Sequence, residues 1–218
     1  MTRRLLTTDP AARERGLAAA AAALRRGELV GVPLDTTYGL AADAFDERGI
    51  QALRAAKGRP DLPIPVMVAR IATVSGVARA SAAAHDLMVG FWPGALTLVL
   101  RAQPTLAWTL ADAHGRIAVR MPLHPVALEL LERTGPLGVV AAARGARDAE
   151  AAFPAELSGS LAVILDAGEL PGGVASAVVD VTSSPPVLVR TGPLDVADLL
   201  AVCPELVVPS LLAGEDAP

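Results

Sequence analysis

Helix-like and strand-like segments follow one another at short intervals along this chain, and this alternation restricts its fold more than any other feature. Asp9 and Pro10 are typical of a helix cap and first helical residue, and apolar side chains at helical spacing continue until Gly27. The apolar segment Leu29 to Pro33 follows at once and indicates a short buried strand. A capped helix that leads directly into a buried strand predicts a fold that mixes the two.

The rest of the chain continues this pattern. Asp35 to Leu40 is interpreted as a polar turn. Further helices are predicted from about Asp46 to Gly58, from Ser81 to before Pro93, from Pro125 and from Asp195. Further strands are predicted at Ile64–Ala69, Leu96–Arg101, Arg116–Met121, Leu137–Ala142, Leu161–Leu165, Ser176–Val181 and Val187–Arg190. We therefore expect an α/β fold with one twisted sheet of parallel and antiparallel strands, flanking helices and a concave ligand face.

Domain organisation follows from length and from the absence of linkers. The chain has 218 residues, which fits a single domain. No repeat and no linker-like segment divides it. We predict one domain over residues 1–212 and a frayed tail over residues 213–218.

Composition limits what the core can contain and what the surface can bind. Hydrophobic residues make up 52% of the chain but aromatic residues only 3%, so Ala, Val and Leu must build the core. The net charge of −4 gives no global field that favours nucleic acid or an acidic membrane, so an anion requires a local cluster of basic residues. No apolar segment approaches the roughly 20 residues that cross a bilayer. A soluble cytoplasmic protein without a membrane partner is expected.

Metal-ligating residues are few and scattered. Cys203 is the single cysteine, and His85, His114 and His124 lie far apart in the sequence. Neither the cysteine nor the histidines have the spacing of a metal site. We therefore expect no metal ligands from the protein itself.

The segment Lys57-Gly58-Arg59-Pro60 places two cations at the predicted end of a helix. Lys57 is the only lysine among 19 basic residues. A lysine supplies a point charge and an arginine a bidentate fork, and both suit phosphate oxygens. Cations at a helix C-terminus also complement the helix dipole without binding any ligand. The segment alone does not separate these two interpretations.

Four other segments could carry polar contacts to a ligand. Each also has a structural interpretation: a capped loop at Pro33–Leu40, a basic strand at Arg116–Arg120, a hairpin turn at Pro171–Ser176, and a surface arginine at Arg190. None of the four is specific by itself. All of them fall at predicted strand ends or turns, where open α/β sheets bind ligands.

The order and spacing of these segments resemble the YrdC-like family over roughly residues 10 to 195. The resemblance rests on six segments, in chain order: Pro-x-Asp-Thr-x-Tyr-Gly-Leu from Pro33, Lys-Gly-Arg-Pro from Lys57, Phe-Trp-Pro-Gly-Ala-Leu-Thr-Leu-Val-Leu from Phe91, Val-Arg-Met-Pro-Leu-His-Pro from Val119, Ser-Ala-Val-Val-Asp from Ser176, and Arg-x-Gly from Arg190. The Phe-Trp-Pro-Gly segment is the most distinctive of them.

The resemblance implies a nucleotidyltransferase that makes threonylcarbamoyl-AMP from threonine, bicarbonate and ATP, with Mg²⁺. The product serves the threonylcarbamoyl modification of a tRNA adenosine, so tRNA or other tRNA-modification proteins are implied partners. Threonine would be held by Thr36, Arg120 and Ser176, with Arg120 on the carboxylate. The ATP phosphates would be held by Lys57, Arg59 and Arg190. Lys57 and Arg59 would also be the catalytic residues, acting on charge that develops during phosphorus transfer.

The chain departs from the family pattern at one segment above all. The family has Ser-Ala-Asn at the end of the strand that follows Gly-Pro-Leu, and here Ala141 and Ala143 replace the Ser and the Asn. The loop after Lys57 is also one residue short, and Ala177 replaces a Thr. Three hypotheses follow: a threonylcarbamoyl-AMP synthase, a divergent relative that acts on another small molecule, or a non-catalytic protein that binds nucleotide or RNA.

Overall fold

The structure is a computed structural model that describes residues 2–106, 108–110, 112, 114–143, 145–210 and 212. The predicted tail over residues 213–218 lies outside the described residues. The strands are Arg3–Leu6 (β1), Leu29–Pro33 (β2), Tyr38–Asp43 (β3), Val66–Met67 (β4), Ala78–Arg79 (β5), Leu96–Ala102 (β6), Arg116–Arg120 (β7), Leu137–Ala141 (β8), Leu161–Asp166 (β9), Ala177–Asp180 (β10) and Val187–Arg190 (β11). The α-helices are Pro10–Leu24 (α1), Glu47–Ala56 (α2), Val74–Val77 (α3), Ala82–Phe91 (α4), Pro125–Thr134 (α5), Ala149–Ala152 (α6), Ala155–Ser158 (α7) and Val196–Val202 (α8). A 3-10 turn at Ile71–Thr73 precedes α3.

The described strands form one mixed sheet, which confirms the predicted fold class. Ten strands lie in the order β1-β9-β2-β3-β8-β4-β7-β6-β10-β11, and β5 pairs with β6 beside this path. The pairs β1–β9, β9–β2, β4–β7 and β6–β10 are parallel. The remaining neighbours are antiparallel, among them the β2–β3 and β10–β11 hairpins. Parallel and antiparallel pairs therefore occur together within a single sheet.

Helices α1 and α5 cover only part of one face of this sheet. Their apolar side chains, including Leu17 and Leu130, pack in one core cluster with residues of β2, β8 and β9. A second cluster on the other side takes side chains such as Leu98 of β6 and Val179 of β10. Burial alternates along β7 and β10, so every second residue of these strands stays partly exposed. None of the described helices covers this face of the β7–β6–β10 region.

Local sequence signals explain where the first elements begin and end. The Asp9 carboxylate accepts a hydrogen bond from the Ala12 N–H at 2.7 Å, and Pro10 occupies the first helical position. Gly27 follows the helix with a φ of 75°, a conformation that favours glycine. Both ends of α1 thus lie where the caps predict them. None of the described helices is both long and apolar enough to cross a membrane.

Two of the sequence predictions are wrong. The polar turn predicted over Asp35–Leu40 ends early, because Tyr38 begins β3 and its first five residues are buried between β2 and β8. The strand predicted over Ile64–Ala69 is reduced to β4 at Val66–Met67. Pro63 and Pro65 lack the N–H that a sheet ladder requires, so the pairing cannot extend towards the N-terminus.

Leu130 provides a test of the core beneath α5. Its side chain is fully buried, so Leu130→Ala should lower the free energy of unfolding by about 2–5 kcal/mol through lost burial and the cavity left behind. Leu123, which precedes the same helix and is 56% exposed, supplies the control. Leu123→Ala should change stability by only about 0.5 kcal/mol. Urea unfolding of both variants measures the difference, and equal losses would contradict the packing described for α5.

Candidate functional site

A cavity of about 370 Å³ opens on the uncovered face of the sheet. The end of β7 and the starts of β6 and β10 meet here, because β6 runs antiparallel to β7 and parallel to β10. Four of the six predicted site residues line the cavity: Thr36, Arg120, Ser176 and Arg190. The sequence segments that contain them are far apart in the chain, and the sheet topology brings them together.

Arg120 is a buried cation with fixed partners. Its Nε donates to the carbonyl oxygen of Gly94 at 2.9 Å, and its Nη2 donates to Oδ2 of Asp35. Burial lowers the pKa of the Arg120 guanidinium, Asp35 opposes that shift, and the charge of Arg190 lowers the pKa further. Arginine still keeps its proton in such surroundings. The cavity therefore contains a permanent positive charge that is held in one orientation.

Two buried hydroxyl groups and a second arginine also line the cavity. Oγ of Ser176 and Oγ1 of Thr97 are 2.8 Å apart and buried. The Nε of Arg190 donates to the Ser176 carbonyl oxygen at 3.0 Å, and its Nη2 reaches the Ser176 hydroxyl at 3.4 Å. Thr97 was not among the predicted site residues. It is the polar residue within an otherwise apolar strand segment, and this is the signal that could have identified it.

A close backbone contact explains why the Arg-x-Gly segment has a glycine at position 192. A Cβ atom at this position would lie 2.1 Å from the backbone nitrogen of Ala177, closer than real contacts allow. The chain that leaves β11 thus crosses directly over the start of β10. This close approach keeps Arg190 beside Ser176, and any side chain at position 192 would push the two strands apart.

Lys57 and Arg59 occupy different positions relative to the cavity. The Nζ of Lys57 donates to the carbonyl oxygens of Ala141 at 3.0 Å and Ala142 at 2.6 Å, so Lys57 lies at the rim that Ala141 forms. Arg59 is exposed, and its side chain makes no hydrogen bond or ion pair with the described part of the chain. Gly58, with a φ of 60°, turns the chain after α2 and places Arg59 in an open loop. Of the six predicted residues, four therefore line this cavity, whereas Lys57 lies at its rim and Arg59 lies outside its lining.

The wall at the end of β8 carries the departure from the family pattern. Ala141 lines the cavity together with Val139 and Val140, so this wall offers methyl groups instead of side-chain donors. Arg147, further along, donates from Nε to the Leu170 carbonyl oxygen at 3.0 Å and pairs with Glu169. Arg144 lies outside the described residues.

The loop that carries Val174 and Ala175 into the cavity wall is anchored by Tyr38. The buried Tyr38 hydroxyl donates to the Gly168 carbonyl oxygen at 2.6 Å and accepts from the Ala167 N–H at 3.1 Å. Burial is the main cause that raises the pKa of Tyr38 to about 12. The phenol therefore remains neutral near pH 7, and its role is to tie the start of β3 to the loop after β9.

A second cavity of about 710 Å³ lies further along the same strands. Arg116 and Asp180 line it, four residues from Arg120 on β7 and from Ser176 before β10. Four residues of strand correspond to roughly 13 Å. Arg116 is held by Asp112 at 2.8 Å and by Asp180 at 3.4 Å, and the wall includes the 60–64 segment that follows Arg59. The sequence did not predict this cavity.

Comparisons with known proteins agree with this architecture. Residues 22–192 match the family model Sua5_yciO_yrdC, described as telomere recombination. A Mycobacterium tuberculosis protein, provisionally named a threonylcarbamoyl-AMP synthase, is 42% identical over 211 residues that cover 93% of this chain and 97% of that protein. The structure of Pyrococcus abyssi Sua5 complexed with L-threonine is 31% identical with a TM-score of 0.84, and covers 100% of this chain and 65% of that one. Escherichia coli YciO has a TM-score of 0.80 at 23% identity over 92% of this chain and 99% of that one, and shows the fold alone.

Proposed function

Because the chain belongs to the Sua5/YciO/YrdC family, we propose that it makes threonylcarbamoyl-AMP from threonine, bicarbonate and ATP. The observation that carries this proposal is the cavity in which Arg120 faces the hydroxyls of Thr97 and Ser176. A cation that binds a carboxylate and hydroxyl groups that bind polar atoms, placed in one cavity, suit an amino acid with a carboxylate and a hydroxyl. The activity named for relatives that match nearly the whole chain supports the same substrate set.

The threonine end of the site would use Arg120, Ser176 and Thr36. The free N–H groups of Arg120 can take the threonine carboxylate. Ser176 and Thr36 line the same cavity and offer hydroxyl groups to the amine and hydroxyl of the substrate.

The nucleotide end would use Lys57, Arg59 and Arg190 for the triphosphate. Arg190 lines the threonine cavity, while the 60–64 segment after Arg59 lines the second one. Phosphates bound between these cations would direct the nucleoside towards the second cavity. The nucleoside would then follow β10 over the roughly 13 Å that separates Ser176 from Asp180. The described residues contain no group of three or more His, Cys, Asp or Glu that could hold a metal ion. Mg²⁺ would therefore enter on the phosphate oxygens of ATP.

The chemistry would proceed in two displacements. The threonine amine attacks bicarbonate, a C–N bond forms, and water leaves to give the carbamate. A carbamate oxygen then attacks the α-phosphorus of ATP, the bond to the β-phosphate oxygen breaks, and pyrophosphate leaves. Lys57, Arg59 and Arg190 would stabilise the charge on the phosphate oxygens, and positioning of the reactants would supply most of the acceleration.

The product would be consumed in the threonylcarbamoyl modification of a tRNA adenosine. Partners of the synthase would then be the tRNA-modification proteins that transfer the group, or tRNA itself. The net charge of −4 favours transfer through another protein over direct tRNA capture. A cytoplasmic location follows from this assignment, since ATP, threonine and tRNA are all present there.

A second candidate function follows from the wall formed by Val139, Val140 and Ala141. This wall is apolar at the place where the family pattern has polar side chains, so the site could adenylate a different small molecule. Arg120 would still bind a carboxylate in that case. The two candidates differ in which acceptor supports release of pyrophosphate.

Pyrophosphate release tests the proposed function directly. We expect release from ATP only when threonine and bicarbonate are both present, with threonylcarbamoyl-AMP identified by mass spectrometry. Omission of either substrate in turn is the internal control. Release that does not depend on threonine would contradict the synthase proposal and favour another acceptor.

Lys57→Ala tests the phosphate role of the only lysine. Loss of a hydrogen bond to a charged group costs about 1.5–3 kcal/mol, so the Kd for ATP should rise on the order of ten- to a hundredfold. Arg15→Ala removes a charge from an exposed position of α1 and is the control. Calorimetric titration with ATP measures both variants. Equal ATP affinity in wild type and Lys57→Ala would show that Lys57 serves only to cap α2 and the end of β8.

The paired substitution Ala141→Ser with Ala143→Asn tests the altered wall. Both residues should be changed together, because groups around one ligand are coupled. The new hydroxyl and amide should raise threonine-dependent pyrophosphate release by roughly tenfold, as hydrogen bonds to charged phosphate oxygens would. If ATP still binds and release does not rise, the divergent acceptor becomes the better hypothesis. Ala162→Ser, on a partly buried position of β9 outside the cavity, is the matched control.

A further inference from the structure

We propose that Asp35 is the positioning residue that fixes Arg120 for carboxylate binding, a role that rests on the proposed threonine site. Asp35 lies in the turn between β2 and β3, and its side chain is 12% exposed. Its carboxylate is the partner of the Arg120 Nη2 group. The substrate would touch Arg120, whereas Asp35 would act only through the arginine.

Backbone donors hold Asp35 in place from the other side. Its Oδ1 accepts the N–H of Leu123 at 2.7 Å and the N–H of His124 at 2.9 Å. Both amides belong to the corner between β7 and α5. Three donors therefore converge on one carboxylate, and they join the β2–β3 turn to the corner that follows Arg120. Such a carboxylate has little freedom to rotate, and it transmits that restriction to the guanidinium.

The hydrogen bonds of Arg120 decide which N–H groups remain for a ligand. A guanidinium has five N–H donors, of which Nε is used by Gly94 and one Nη2 hydrogen by Asp35. The remaining three are one N–H on Nη2 and two on Nη1, and one N–H from each of these nitrogens can bind a carboxylate with two parallel hydrogen bonds. Gly94 and Asp35 accept from the two nitrogens of the neighbouring edge, Nε and Nη2. The protein thus selects the edge of Arg120 that is left for the substrate.

If only charge mattered, Asp35 would weaken threonine binding, whereas its positioning of Arg120 would strengthen that binding. Among the described residues that line this cavity, Asp35 is the only acid. Its negative charge opposes a bound carboxylate, so its removal should tighten threonine binding if electrostatics dominated. Arg190 is near enough to repel Arg120, and Asp35 offsets that repulsion. Positioning and charge therefore predict changes of opposite sign, which makes the inference testable.

Two variants separate these effects. Asp35→Asn keeps the shape of the side chain and removes its charge. Asp35→Glu keeps the charge and displaces the carboxylate by one methylene. Positioning predicts that both variants raise the Kd for threonine about tenfold or more, as expected when one charged hydrogen bond is lost. Asp9→Asn, which alters the exposed cap of α1, is the control and should leave threonine affinity unchanged.

Threoninamide, which lacks the negative charge of the carboxylate, separates positioning from general loss of structure. The preference of the wild type for threonine over threoninamide should fall about tenfold in Asp35→Asn, while a merely looser fold would weaken both ligands alike. Calorimetry without ATP measures these affinities independently of catalysis. Threonine binding that is unchanged or tighter in Asp35→Asn would overturn the inference and leave the synthase proposal standing. Absence of pyrophosphate release from a wild type that binds threonine would overturn the synthase proposal and leave the inference standing.

Discussion

The site depends on the part of one sheet face that none of the described helices covers. Helices α1 and α5 pack over β2, β8 and β9, and their coverage ends before β7, β6 and β10. The uncovered strands have small or polar residues at alternate positions, such as Ala118 and Thr97, whereas the residues between them are buried in the other core. Because a strand directs alternate side chains to opposite faces, one sequence pattern both seals the core and leaves the cavity open. The strand termini then supply loops that carry the polar groups.

The charge in this cavity is locally positive, whereas the net charge of the whole chain is negative. The protein carries a net charge of −4, yet Arg120 and Arg190 face one cavity and Lys57 lies at its rim. Asp35 offsets part of this charge and accepts backbone hydrogen bonds as well. The outcome is a site that can bind anions within a surface that repels them in general. This charge distribution favours a small anion over a polyanion such as RNA as the ligand of the proposed site.

Local rules predicted the elements that local interactions fix. The caps of α1 and the apolar pattern of β2 and β11 gave their bounds to within a residue or two. The sequence did not predict β3, because Gly39, Ala41 and Ala42 have little intrinsic preference for strands. These residues form a strand because they pair with β2 and β8. The ordered motifs identified four residues that line the cavity, because these motifs lie at strand ends that meet in the sheet. The contacts of Asp35 join residues 88 and 89 positions apart, and no local pattern contains them.

The altered wall at the end of β8 affects the two ends of the site unequally. The proposed threonine end keeps the Arg120 guanidinium and the hydroxyl groups that line the cavity, whereas the wall at Ala141 has no side-chain donor. Lys57 donates two of its three N–H groups to the carbonyl oxygens of Ala141 and Ala142, which leaves one N–H group for a phosphate oxygen. In the proposed site, a phosphate group at this rim would therefore meet fewer donors than the Ser and Asn of the family pattern would supply. Interactions that strengthen only during displacement at phosphorus affect the rate of that step. We therefore expect the alanines at positions 141 and 143 to reduce turnover more than they reduce the affinity for threonine.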